Sequence, residues 1–168
     1  MKKLVLLLIT IALVSCGKEK KNVEIKEEKE LNNYTLTIEA IYPKDDSISV
    51  VYMTGNYFQY EKAISLKIKG SASLQQLPIT IPQDIIIENV QITLSTNKDQ
   101  NKITLKNLSV FNNKSEIFNG SNFTYSEYFD FNPGVSWDIK DKSFDLNFDG
   151  KFPPGMTGNN SLIAKLSK

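Results

Sequence analysis

Apolar residues along this chain fall into two regimes. Between Leu4 and Val14 they are continuous but for Thr10, and from Tyr34 onward they alternate with polar residues. A period of two is the spacing at which side chains of an extended strand share one face. Tyr34, Leu36, Ile38, Ala40 and Tyr42 alternate with Thr35, Thr37, Glu39 and Ile41, which predicts a half-buried strand ended by Pro43. Lys44-Asp45-Asp46 makes a turn, after which Ile48, Val50 and Tyr52 repeat the pattern up to Gly55-Asn56. Ile64, Leu66 and Ile68 form the next strand. Leu77, Ile79 and Ile81 follow, with Pro78 and Pro82 pushing this segment to a sheet edge. Ile85 to Ile87 leads into Val90, Ile92 and Leu94. Ile103 to Val110, Glu116 to Phe118, Val135 to Ile139, Phe144 to Phe148 and a terminal Leu162, Ala164 and Leu166 complete the set. No stretch beyond the first apolar run carries a helical stripe. Short strands at this spacing predict an all-β protein, a single antiparallel β-sandwich of jelly-roll-like type.

The continuous run has a different meaning. As a helix, Leu4 to Val14 would reach roughly 16 Å, about half of a ~30 Å hydrocarbon core. Preceded by Lys2 and Lys3 and followed by Ser15, it reads as a removable export leader spanning residues 1–15. Residues 16–31 are mostly lysine and glutamate and cannot build a core, so they form a solvated tether. Residues 32–168 are one domain's worth of chain. Cys16 is the sole cysteine, so no intrachain disulfide can staple that domain and its core must hold it.

Charge narrows the chemistry. Without the leader, 18 lysines face 19 carboxylates, and no basic excess remains to attract nucleic acid. The chain has no arginine and no histidine. Histidine bases, histidine metal ligands and bidentate arginine clamps are therefore absent from its repertoire. It contains no Gly-x-Ser-x-Gly elbow, and nothing singles out a carboxylate pair for glycoside hydrolysis. The expectation is a non-catalytic protein with no cofactor.

Leu13-Val14-Ser15-Cys16 resembles the lipobox of bacterial lipoproteins. The resemblance implies cleavage before Cys16, acylation of its thiol and new amino terminus, and a membrane partner through that lipid. Gly17 stands where inner-membrane retention signals often carry aspartate, which implies delivery to the cell outer membrane. The charged residues after Cys16 look like the surface-export signals of Bacteroidetes lipoproteins. Ser49 to Phe111 is similar to a β-sandwich module of Bacteroidetes surface-polysaccharide and envelope proteins. The similarity lies in Val51-Tyr52, Tyr57-Phe58, Tyr60-Glu61, Ile68-Lys69-Gly70, Ile87 to Ile92 and Lys102 to Val110. It implies a fold like that of carbohydrate-binding modules. Gln91-Ile92-Thr93 stands where that module often has Arg-x-Asp. Asp46-Ser47-Ile48 resembles the O-glycosylation site of Bacteroidetes exported proteins, which makes Ser47 a modification candidate.

Two aromatic groups are candidates for binding. Phe123 to Gly134, with Trp137 beyond, is the densest. Tyr125, Tyr128 and Trp137 offer flat faces to sugar C–H groups, and Asp130 and Asn132 could bond hydroxyls. The same rings are suited to plugging one end of a sandwich, the commoner use of aromatics in small β domains. Tyr57 and Tyr60, beside the Gly55-Asn56 turn, pose the same alternative. Asp145, Asn147 and Asp149 begin like a calcium loop, but Met156 holds the closing carboxylate's place. The chain as a whole reads as a lipid-anchored envelope protein that binds glycan or envelope material. The alternative is an assembly protein whose sheet edge or aromatic patch contacts a protein partner.

Overall fold

The computed structural model describes residues 31–168. The leader and Cys16 lie outside the described residues, as does the tether up to residue 30. The domain is an all-β sandwich of two antiparallel sheets.

The strands are β1 (Tyr34–Ile41), β2 (Asp46–Thr54), β3 (Tyr57–Phe58), β4 (Ile64–Ile68), β5 (Gln75–Thr80) and β6 (Asn89–Thr93). They continue with β7 (Lys102–Asn112), β8 (Ser115–Asn119), β9 (Phe129–Phe131), β10 (Val135–Asp138), β11 (Ser143–Leu146) and β12 (Gly155–Gly158). A helix, α1 (Asn160–Leu166), ends the chain. The first sheet runs β10-β11-β7-β1-β5, with β8 on the same side of β7 as β11. The second runs β3-β2-β6-β12-β9, with β4 sharing a side of β2 with β3.

Of the connections that cross between the sheets, three are arches at one end. β1 leads into β2, β4 into β5 and β6 into β7, each crossing from one sheet to the other. β1 lies between β7 and β5, while β2 lies between β6 and β4. The three crossover loops therefore meet at one end of the sandwich. Asp46 staples two of them: its carboxylate accepts from the N–H groups of Ser47, Thr96 and Asn97 and from Ser95 Oγ. Asp45 holds the third, accepting from Gly70 N at 2.8 Å and from Lys69 Nζ at 2.6 Å. Lys69 and the Gly70 N–H hold the Asp45 carboxyl below its ordinary range. The Asp45-Asp46 turn thus organises the whole end.

Strand alternation delivers the core. Tyr34, Leu36, Ile38, Ala40 and Tyr42 are all buried, as are Ile48, Val50 and Tyr52. Tyr42 reaches across to donate its hydroxyl to Leu94 O at 2.8 Å. Pro78 sits in β5, a sheet edge, where its missing N–H costs no ladder bond.

Three local expectations need correction, and two strands were not expected. Leu162, Ala164 and Leu166 belong to α1, not to a strand. The residues Leu162 and Leu166 are four apart, so one helical face buries both while Ala164 faces solvent. Asn159 caps this helix by accepting from Ser161 N at 2.9 Å. Ile85 to Ile87 is not part of a strand; Ile86 is exposed and pairing starts at Asn89. β11 stops at Leu146, before Phe148. Finally, β9 and β12 are the two strands that the sequence reading did not expect. β12 reads Gly-Met-Thr-Gly because a Cβ on Gly155 would lie 2.6 Å from Ile92 O on the neighbouring strand.

Candidate functional site

Two aromatic-walled depressions arise from this framework, on different faces. One lies along the open side of the sandwich. There β9, the last strand of the second sheet, faces β10 and β11 of the first. Alternation turns Phe131, Val135, Trp137 and Phe144 toward the gap, and the irregular 3-10 segment Ser121–Glu127 adds Phe123, Tyr125 and Ser126. The cleft so formed holds about 450 Å³. Phe123 and Trp137 meet edge to face at 5.0 Å, Trp137 meets Phe144 at 5.0 Å, and Phe144 stacks on Phe131 at 4.9 Å. The backbone at Phe123 is left-handed, with φ of 67°. Such a conformation is rare for a bulky residue and costs of order 1–3 kcal/mol. The local packing holds the ring over the cleft at that cost.

The expected sugar platform divides here. Trp137 is 42% exposed and reachable. Tyr125 is fully buried, and its hydroxyl donates to Leu105 O at 3.1 Å. Burial pushes its ionisation above the ordinary tyrosine range, so this ring is core. Tyr128 is half-buried against Phe118, with ring centres 4.5 Å apart. The side chain of Asn132 is occupied by backbone. Its oxygen accepts from Gly134 N and Gly155 N, and its nitrogen donates to Pro153 O. Asp130 points to the opposite side of β9 from Phe129 and Phe131, away from the cleft. The cleft is therefore apolar, with Ser126 its only hydroxyl apart from that of Tyr125.

The second depression lies on the outer face of the second sheet. β-Pairing aligns Val51, Gln91, Thr157 and Asp130 in one row across β2, β6, β12 and β9, and Ser65, Ser49 and Thr93 in the next. These are the outward positions, since Val50, Ile92 and Met156 face the core. Tyr60 and Phe152 stand over this polar strip, 62% and 65% exposed. With Gln91, Thr93, Thr157 and Met156 they line a groove of about 240 Å³. Tyr60 donates its hydroxyl to Gln91 Oε1 at 3.0 Å, which ties the ring to the groove floor. Tyr57 is exposed nearby in sequence, on the short β3 hairpin. Tyr60 and Asp130 are thus brought to one sheet face, apart from Trp137. Gln91, Thr93, Thr157 and Phe152 were not among the binding candidates read from the sequence. Phe152 had one signal, an aromatic residue isolated between Lys151 and Pro153-Pro154.

The remaining candidates have structural partners. Ser47 is the second residue of β2, paired with Lys67, and its Oγ shares a 2.6 Å hydrogen bond with Thr96 Oγ1. It is therefore in a strand at the mouth of the arch loops, not in a free loop. Of the calcium candidates, Asp145 lies 3.5 Å from Lys102 Nζ, and Asn147 Oδ1 accepts from Asp149 N at 2.7 Å. Among the described residues no group of three or more acidic, histidine or cysteine side chains is placed to hold a metal ion. Lys102 is the centre of this region, bonding Asp138 at 2.9 Å and Asp141 at 2.5 Å. Those two carboxylates raise its ionisation above the ordinary lysine range, and Lys102 in turn lowers that of Asp138.

No protein-family model, curated protein or solved structure matches this chain.

Proposed function

We propose that this protein is a non-catalytic glycan-binding lipoprotein of the bacterial envelope, held to the outer membrane through lipid on Cys16. Its glycan groove is the outer face of the second sheet. The observation that carries this reading is the placement of two exposed rings, Tyr60 and Phe152, over a strip of neutral hydrogen-bonding side chains. Rings supply apolar faces for pyranose C–H groups, and Gln91, Thr93 and Thr157 supply donors and acceptors for hydroxyls. Asp130 continues the polar row. The open-side cleft lacks such a polar floor, so Trp137, Tyr125 and Tyr128 are not part of the glycan site, whereas Asn132 lines the groove with its amide bonded to backbone. Of the two aromatic groups, this reading takes the one at Tyr60 and keeps only Asp130 and Asn132 from the Phe123–Trp137 segment. The lipid anchor and outer-membrane location rest on the lipobox-like Leu13 to Cys16 and on Gly17.

Glycan-array binding of the mature protein tests the groove. Tyr60→Ala and Phe152→Ala should each abolish detectable binding, while Trp137→Ala should leave it intact. Binding that survives both groove substitutions, or no binding to any envelope glycan, overturns the reading. In the same cells, radiolabelled palmitate should appear on the wild-type chain and be absent from Cys16→Ser.

A further inference from the structure

We infer, resting on the reading of the outer groove as a glycan site, that Gln91 selects what the groove holds. The sugars it selects are neutral, not uronic or sulfated. Gln91 stands in the outward row of the second sheet, between Val51 of β2 and Thr157 of β12. Its amide oxygen accepts the Tyr60 hydroxyl at 3.0 Å, and its Nε2 has no partner among the described residues. Tyr60 thus fixes which way the amide faces. The oxygen is turned to the ring, and the two Nε2 donors are left for a ligand. Thr93 and Thr157, half-buried beside it, add hydroxyls that both donate and accept.

No charged side chain lines the groove. The charged residues adjoining the lining are of both signs. Glu61 and Lys62 follow Tyr60 in the chain, Lys151 precedes Phe152, and Asp130 lies beside Thr157 across the ladder. All four are exposed to solvent. Lys151 Nζ sits over the Phe152 ring, 5.3 Å from its centre. Lys62 and Lys151 against Glu61 and Asp130 leave no excess of either sign at the rim. A carboxylate or sulfate ester laid on the floor would shed water and meet amide and hydroxyl donors, but no cation. The chain has no arginine to offer the bidentate bond that offsets such desolvation. A neutral hydroxyl instead exchanges its water bonds for those of Gln91, Thr93 and Thr157, while the sugar's ring carbons cover Tyr60 and Phe152.

The probes are hexasaccharides of glucose, mannose and galactose, each paired with the same chain oxidised from primary alcohol to carboxylate. They are titrated calorimetrically into the mature protein at ~0.15 M salt, which screens exposed charges beyond about 8 Å. At least one neutral member should bind, with its oxidised counterpart about tenfold or more weaker. Gln91→Lys puts a cation on the floor and should move that ratio about tenfold toward the acidic member. Tyr60→Phe keeps the ring but frees the amide, and should weaken the neutral member about 2–10-fold. Both variants should keep the wild-type circular dichroism spectrum. Equal or tighter binding of the oxidised members, a ratio that Gln91→Lys leaves unmoved, or a Tyr60→Phe protein that binds like wild type overturns selection by Gln91 and leaves the glycan groove standing. If no member of any pair binds, the glycan reading and the selection fall together.

Discussion

Single residues here act through what they connect, and Lys102 shows this most clearly. It reaches from β7 to Asp138 and Asp141, at the end of the hairpin formed by β10 and β11. Asp138 is depressed by its bond to Lys102, so the stability it contributes is present above the unfolded carboxylate range. That stability is lost as pH falls through the lowered native value. Lys102 is raised, so its contribution is complete at neutral pH and disappears only as pH climbs beyond the ordinary lysine range. Lys102→Met should therefore lower the urea midpoint at pH 7, and the difference from wild type should vanish in strong acid. Equal midpoints at pH 7 would show that solvent screens the clamp completely. At this scale the sequence was partly readable. Tyr60 stood out as an aromatic residue beside a Gly-Asn turn, and the structure finds it exposed. Asn132 looked equally available, yet its amide is used by Gly134, Pro153 and Gly155. No local pattern announces a side chain committed to backbone more than twenty residues away.

Among the elements, β1 and α1 mark the limits of legibility. β1 has one face on the core and one toward solvent, so alternation identifies both its existence and its buried set. The seven residues of α1 are too few for a helical stripe to emerge, and Leu162 with Leu166 satisfies both a strand and a helix. Tertiary packing decides between them: α1 docks against β6, β8 and β12, and Leu162 becomes fully buried. Leu162→Ala should cost about 2–5 kcal/mol in urea denaturation, through lost burial and the cavity left behind. The exposed Ala164→Gly should cost only about 1 kcal/mol, the helix-propensity difference. If the two were equally mild, the helix would not be part of the cooperative core. β12 lay beyond sequence reasoning for a different reason. Gly155 answers to the Ile92 carbonyl across the ladder and Gly158 to the side chains of Asn89 and Leu162, constraints that exist only after β6, β12 and α1 have met. The groove floor has the same origin, since pairing alone sets Thr157 beside Gln91.

The whole molecule depends on three arches meeting at one end, with Asp46 tying the β1–β2 turn to the β6–β7 loop. Asp46→Ala leaves the Ser47, Thr96 and Asn97 N–H groups and the Ser95 hydroxyl without their shared acceptor. Bonds to an ionised group contribute roughly 1.5–3 kcal/mol each, and partial rescue by water brings the expected net loss to about 2–3 kcal/mol. The measurement is the urea midpoint followed by Trp137 emission. Its slope should be unchanged, because the loss falls on one cooperative domain. The polarity of the arches has a spatial consequence. Leu31 enters beside the β7–β8 turn, where its carbonyl accepts from Asn113 Nδ2. From there the eight residues of β1 climb ~26 Å to the arch loops. Asp45, Asp46 and Lys69 therefore crown the end of the domain opposite Leu31, so whatever the chain before Leu31 is fastened to, the arch loops are held a full strand's length from the point of attachment.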